Sequence, residues 1–314
     1  MNRLVAIVGP TGSGKSHLVI RLARGFHGEI VNADSRQVYQ YMDIGTAKPN
    51  PEELSLVPHH LIDIIDPDES FSLSQFQALA YQTIKDIHQC LKLPLLVGGS
   101  GLYVWAVLEG WKIPSVPPDP ELRKRLEEKA ATMGADELYQ ELMELDSAAA
   151  QKIDPRNVRR VIRALEVHQK TGVYFSRLKS KEAPPFNVLI IGLTADRREL
   201  YRRIDLRVDK MIEEGLVDEV EKLLNMGYDF KLPSMSSIGY KQIGLFLRGE
   251  LTLAEAIQQI KFETHRFVRH QYTWFRLDDA RIHWFDIAGQ QEMGIEARIT
   301  EFLETAEPEE RVAR

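Results

Sequence analysis

Residues 9–16 read Gly-Pro-Thr-Gly-Ser-Gly-Lys-Ser, and this spacing, G-x-x-x-x-G-K-[ST], belongs to loops that wrap a phosphate. The flanking sequence constrains the fold more than the eight residues do. Leu4 to Val8 form a continuous apolar run of strand length, the kind buried on both faces of a parallel sheet. After the loop, Leu18, Val19, Leu22 and Ala23 return at helical spacing. A strand, a glycine-rich turn and a helix in that order make an anion cradle. Gly9, Gly12 and Gly14 allow the tight turn and let backbone N–H groups approach an anion. The helix N-terminus adds partial positive charge. In such a loop Lys15 reaches the terminal phosphates and the Ser16 hydroxyl sits on Mg2+, with Pro10, Thr11 and Ser13 completing the wrap.

Three further apolar runs, Glu29 to Ala33, Leu93 to Val97 and Val188 to Leu193, alternate with helical stretches. The expected fold class is therefore α/β, a P-loop-containing parallel sheet flanked by helices. Ligands in such sheets bind beyond the carboxyl ends of the strands, which brings the phosphate loop, Asp34 and the turn at 98–101 to one crevice. Between the last two runs lie roughly ninety residues, opened by a Pro-rich segment at 113–118 and closed by Ala183-Pro184-Pro185-Phe186. Helical patterns at 121–133 and 137–145 fill part of them. The chain reads as a catalytic core, 1–112 with 186–314, interrupted by a helical insertion domain, 113–185, with mostly helix after the fourth run and a frayed tail at 307–310.

No apolar stretch approaches the roughly 20 residues that span a bilayer, and no signal-peptide pattern precedes the phosphate loop. The single cysteine, Cys90, excludes an intrachain disulfide and a multi-cysteine zinc site; it reads as an inert, partly buried thiol. Adjacent His59 and His60 cannot both face one metal on regular structure. A cytoplasmic enzyme fits these features. The net charge of −6 argues against nucleic acid as a partner, yet residues 151–181 carry nine Lys or Arg against two acids. That stretch is either a phosphate-backbone footprint or a solvated helix face. Within it Arg156, Arg159, Arg160 and Arg163 recur at spacings of three and four, which puts them on one helix face. Phe262, Arg266, Arg269, Thr273 and Arg276 align in the same way near the C-terminus, among the aromatics Phe267, Tyr272, Trp274 and Phe275. Arginine and aromatic groups suit splayed RNA bases, although the aromatics taken singly suit core packing too.

One expected group is missing. A P-loop NTPase holds its metal with an acid at the end of a neighbouring strand, but the third run ends in Val97-Gly98-Gly99-Ser100. The second run does end in an acid, Asp34, followed by Ser35, Arg36, Gln37 and Tyr39. Such groups can recognise a polar heterocycle, and Asn or Gln pairs readily with an adenine edge. A carboxylate there can act as Mg2+ ligand or general base, or it can merely cap a helix.

Several ordered blocks carry a resemblance: GPTGSGKS, NADSRQVYQYMDIGTAKP (32–49), PHHLIDIIDP (58–67), LLVGGSGLYVWAVLEG (95–110), DPRNVRRVIRALEV (154–167), PSMSSIGYKQ (233–242) and RHQYTWFR (269–276). Together they are similar to the tRNA dimethylallyltransferases over nearly the whole chain. The resemblance implies transfer of a dimethylallyl group from dimethylallyl diphosphate to the exocyclic amine of an adenosine in the tRNA anticodon stem-loop, just 3′ of the anticodon (tRNA position 37). The phosphate loop then holds a diphosphate leaving group, with Mg2+, rather than ATP. It further implies that Asp34 is the general base, that Thr11, Lys15 and Arg207 serve the diphosphate, and that Ser35, Arg36, Gln37 and Ser100 meet the flipped base. Ser100 stands where the family commonly has Thr. Arg123, the 156–163 arginines, Gly239, Tyr240, Lys241, Arg269 and Arg276 fall in blocks that touch tRNA; Lys241 stands where Arg is frequent. The family precedent is a monomer. The rival readings from the residues alone are a small-molecule kinase using ATP and a non-catalytic RNA-binding NTP switch.

Overall fold

The computed structural model describes residues 2–114, 116, 118–178, 181–287 and 292–305; the tail at 307–310 and positions 115 and 117 of the Pro-rich segment lie outside them. Strand β1 (Arg3–Val8) is buried at every position, as its unbroken apolar run requires. It leads through the loop into helix α1 (Lys15–Gly25). Next come β2 (Gly28–Asn32), α2 (Pro51–Leu56), β3 (His59–His60), α3 (Leu73–Gln89), β4 (Leu93–Gly98) and α4 (Gly101–Leu108). After an excursion over 109–184 the chain returns as β5 (Asn187–Thr194), and later as β6 (Ile282–Asp286). The six strands form one sheet in the order β3-β2-β4-β1-β5-β6, and every pairing is parallel. The sheet is thus the expected α/β class. Val8 pairs with Gly98 on one side and Gly192 on the other, so the phosphate loop leaves the sheet between the tips of β4 and β5. Val5, Ile7, Leu95 and Ile191 pack against Leu18, Val19 and Leu22 of α1 to make the core on one face.

Strands β3 and β6 were not foreseen. β3 has two residues, too few to show a period, and its His60 is polar because Nε2 pairs with Glu29 Oε2 at 2.6 Å. β6 is an edge strand whose middle positions are half exposed, so its Ile-His-Trp-Phe-Asp sequence lacks the apolar run of an inner strand. Cys90 also departs from expectation. It lies at the C-cap of α3 and is exposed, because a cap projects beyond the helix's packed face. Among the described residues no helix is long and apolar enough to cross a membrane.

The chain divides into two compact units, Met1–Leu108 with Pro185–Arg314, and Glu109–Pro184. The second contains α5 (Pro120–Met133), α6 (Ala135–Leu145), α7 (Ser147–Ala150) and α8 (Val158–Thr171). Leu122, Leu138, Leu142, Val161 and Leu165 form its core. Inside it Glu166 is fully buried. Arg123 grips it bidentately at 2.8 Å, Arg163 donates at 2.5 Å and the Asp119 N–H at 2.7 Å. Burial alone would raise this carboxyl; the two arginines and the N–H hold it below the ordinary carboxylate value. Glu166→Ala leaves two half-buried guanidiniums without their carboxylate and is expected to cost about 1–3 kcal/mol, read as a lowered denaturant midpoint for the insertion unit. The same pairing lends stability above the ordinary carboxylate pKa and loses it as pH falls through the depressed value.

In the first unit β5 is followed by α9 (Arg197–Glu213), α10 (Leu216–Asn225), α11 (Tyr240–Leu247) and α12 (Leu253–Trp274), with α13 (Glu292–Glu304) after β6. Leu200, Ile204, Val208, Val220, Ile260 and Val268 bury one face of these helices together with Val38 and Met42. The packing sets α9 and α12 beside the loop that follows β2.

Candidate active site

The phosphate loop is shaped by backbone that only glycine tolerates. Gly9 has φ 138° and a Cβ built there would lie 2.3 Å from the Leu193 carbonyl oxygen; Gly12 and Gly14 also have positive φ. Gly9→Ala is expected to destabilise the protein by about 1–3 kcal/mol, measurable as a shift in denaturant midpoint. Gly14 caps α1 in the left-handed conformation with no side-chain cap, and the first turn of α1 carries no acid. The leading N–H groups of the helix are therefore left for an external anion.

Lys15 Nζ donates to the Gly9 and Pro10 carbonyls at 3.0 and 2.8 Å. Burial first, then the nearby Arg207 charge, lower its pKa to about 8, with Asp34 opposing. Arg207 reaches the same cavity from α9. It is no ordinary surface arginine: burial lowers its pKa while Asp34 opposes that shift, and no hydrogen bond or ion pair takes it among the described residues. Ser16 is exposed at the start of α1. Ser13 is fully buried, and its hydroxyl lacks a partner among the described residues.

The facing wall is the turn after β2. Asp34 caps no helix, since the first helix after it begins at Pro51. Its Oδ1 accepts from the Arg36 N–H at 2.8 Å, and among the described residues its second oxygen carries no hydrogen bond. The Ser35 N–H donates to Ser100 Oγ at 3.0 Å, and the two hydroxyls lie 3.2 Å apart. Gly98 sits so close to this turn that a Cβ would lie 2.3 Å from the Ala33 carbonyl oxygen. Arg36 Nη1 donates to Pro233 O at 3.0 Å. Gln37 spends its amide hydrogens on the Thr46 and Ala47 carbonyls, at 3.1 and 3.0 Å, leaving Oε1 for another group. A cavity of about 730 Å³ brings Thr11, Lys15, Ser16, Asp34, Ser100 and Arg207 together, with Gly239 and Phe267 on its wall.

Gln271 was missed by the sequence reading although it lies in one of the quoted blocks. It is 2 % exposed. Its Oε1 accepts from the Thr11 N–H at 2.8 Å and its Nε2 donates to the Gly99 carbonyl at 3.0 Å. One amide of α12 thereby ties the phosphate loop to the turn after β4. A buried Gln on an otherwise amphipathic helix was the available signal.

The residues expected at an RNA surface fall into different settings. Arg159 and Arg160 are exposed on α8, and among the described residues neither pairs with a carboxylate. Arg156 precedes α8, whose N-cap is Asn157, and pairs with Asp154 at 2.8 Å; it shares no helix face with the others. Arg123 and Arg163 serve Glu166, as above. Lys241 is exposed, whereas the Tyr240 side chain is withdrawn from the surface. It is fully buried, with its hydroxyl donating to Glu219 Oε1 at 2.5 Å, and burial raises its pKa well above the ordinary phenol value. Arg269 is exposed on α12. Arg276 lies beyond Phe275, the C-cap of α12, and pairs with Asp278 at 2.8 Å, so the single-face alignment ends one turn earlier than the spacing suggested.

Known proteins are similar to this chain in sequence and in fold. Residues 37–278 match the family described as IPP transferase, and residues 2–63 match one described as isopentenyl transferase. The chain is 53 % identical over 300 residues to the tRNA dimethylallyltransferase of Dehalococcoides mccartyi, covering 96 % of this chain and 92 % of that one. It is 54 % identical over 273 residues to the tRNA dimethylallyltransferase of Roseiflexus sp., covering 87 % and 90 %. The crystal structure of the tRNA isopentenylpyrophosphate transferase from Bacillus halodurans is similar with TM-score 0.72 at 44 % identity, over 97 % of each chain. A eukaryotic dimethylallyltransferase, solved acting on tRNA, is similar with TM-score 0.82 at 27 % identity, over 96 % of this chain and 80 % of that one. At 53 % identity over 96 % of its length to the Dehalococcoides enzyme, and with residues 37–278 matching the family model, the chain belongs to the tRNA dimethylallyltransferase family.

Proposed function

We propose that the enzyme transfers the dimethylallyl group of dimethylallyl diphosphate to the exocyclic amine of the adenosine 3′-adjacent to the anticodon, releasing diphosphate. The observation that carries this reading is a single cavity with an anion cradle on one wall and a carboxylate on the other, while β4 beside the cradle ends in glycine. As the allylic C–O bond breaks, negative charge grows on the diphosphate. The leading N–H groups of α1, Lys15 and Arg207 are donors set where that charge develops. The free oxygen of Asp34 takes the amine proton as the C–N bond forms. The amine is a weak nucleophile because its lone pair is delocalised into the ring, so proton removal and orientation both help. Ser35, Ser100 and Gln37 Oε1 flank the flipped base, whose extrusion costs a few kcal/mol and least in a single-stranded loop.

Mg2+ fits the donor set. Among the described residues no group of three or more His, Cys, Asp or Glu could hold a metal. Ser16, exposed at the start of α1, would hold the Mg2+, which would supply positive charge to the leaving diphosphate. Arg159 and Arg160 supply exposed cations for tRNA phosphates. Incubation with unmodified tRNA, Mg2+ and dimethylallyl diphosphate should add one dimethylallyl mass to the anticodon-loop adenosine. Phosphoryl transfer from ATP in a parallel reaction, with no gain from the prenyl donor, would overturn the reading.

A further inference from the structure

Beside the cavity, α9 and α12 hold a cationic group that the reaction above does not use. The Tyr201 ring stacks on the His265 imidazole, with centroids 4.0 Å apart and planes 9° from parallel. His265 Nε2 in turn lies 2.9 Å from Asp205 Oδ1 without hydrogen-bond geometry, so it is the stacked ring itself that backs the phenol. Two guanidiniums converge on its oxygen: Arg197 Nε donates at 3.0 Å and Arg269 Nη1 at 2.9 Å. Both arginines are exposed, and among the described residues neither pairs with a carboxylate. Arg202 and Arg203, on the same helix as Arg197, behave differently and share Glu199.

A phenol oxygen that accepts two N–H bonds directs its own hydrogen away from them, and among the described residues no acceptor takes that hydrogen. Partial burial pushes the phenol up, but the Arg269 and Arg197 hydrogen bonds outweigh it and bring the pKa below the ordinary value. Lowering it makes the O–H a stronger donor. The group therefore offers two positive charges and one outward O–H with no internal acceptor. A phosphodiester matches it, with negative charge on two non-bridging oxygens that can take several donors at once. Such a contact fixes the position of a nucleic acid and reads no base.

We propose that Arg197, Tyr201 and Arg269 clamp one backbone phosphate of the tRNA substrate, an inference that rests on the tRNA-modifying reading above. The test is equilibrium binding of unmodified tRNA to the full chain across a salt series, for wild type, Tyr201→Phe and the double variant Arg197→Gln/Arg269→Gln. Tyr201→Phe keeps the ring and its stack on His265, and is expected to weaken tRNA binding about fivefold. The double variant is expected to weaken it further and to lower the slope of log affinity against log salt by about 1. Wild-type affinity and slope in a double variant with a wild-type melting curve would overturn the clamp. So would lost affinity with an unchanged slope, which would make these residues supports of the helix packing. A wild-type chain that transfers phosphate from ATP and binds no tRNA would overturn the parent reading instead, and the clamp with it.

Discussion

Asp34→Ala is expected to lower the rate of dimethylallyl transfer by about 10²–10⁴-fold, the range of a lost general base, with affinity for dimethylallyl diphosphate close to wild type. The division of labour between the two carboxylate oxygens makes the result interpretable. Oδ1 holds the Arg36 N–H at 2.8 Å and so shapes the turn that carries Ser35, Arg36 and Gln37. The other oxygen carries no hydrogen bond among the described residues, and Asp34 lines the cavity. Asp34→Asn keeps an acceptor for the Arg36 N–H and removes the basic oxygen. Single-turnover transfer measured for both variants separates the two roles. A loss in Asn comparable to that in Ala assigns the effect to proton removal. A near-wild-type rate in Asn would assign it to the turn and remove Asp34 from the proton transfer.

Lys15→Ala is expected to cost about 10²–10³ in rate, the effect of removing one donor from a developing oxyanion, and the pH profile should report the same group. Lys15 is desolvated and faces Arg207, so its pKa falls to about 8. A lysine is cationic below its pKa. Donor capture by the free enzyme should therefore be flat below pH about 8 and fall as pH rises through it, because the neutral amine no longer attracts diphosphate. The profile of kcat/KM for dimethylallyl diphosphate checks this. Lys15→Arg, which does not deprotonate in this range, should lose the alkaline limb even if its rate is reduced. An alkaline limb at the same pH in Lys15→Arg would assign that ionisation elsewhere. Bound diphosphate favours the charged form, so the limb in kcat should lie at higher pH than the limb in kcat/KM.

Both experiments test features of different origin. The phosphate loop was legible in the sequence because its parts are contiguous: an apolar strand, glycines at 9, 12 and 14, then Lys15 and a helix. Local chemistry decides most of such a motif, since each glycine takes a positive φ, although the close approach of Gly9 to Leu193 is a tertiary demand. The acid missing from the end of β4, the acid present after β2 and the parallel sheet itself were legible for the same reason. The blocks at 32–49 and 95–110 carried enough order to point to the family.

Other features depend on which faces meet. Arg207 reads as one more arginine on a charged helix, and only the packing of α9 beside the loop turns it into the cavity. Gln271 joins Thr11 and Gly99 from residues far away in the chain, and helical periodicity gives a face without naming its partner. Tyr240 illustrates the converse: a residue in an RNA-contacting block whose ring the fold uses to fill space against Gly45, where a Cβ would lie 2.4 Å from it. The arginine spacing in the insertion was visible, but Glu166 draws Arg123 and Arg163 inward and leaves Arg159 and Arg160 outside. β3 and β6 escaped because an edge strand has one unpaired side and need not be apolar throughout. What the sequence alone determined was therefore the local machinery, the anion cradle and the carboxylate near it, because each is made by neighbours along the chain. What only the tertiary structure decided was which distant side chains complete the site and which are spent holding it, because burial and partner choice depend on helix faces that meet only when the chain is folded.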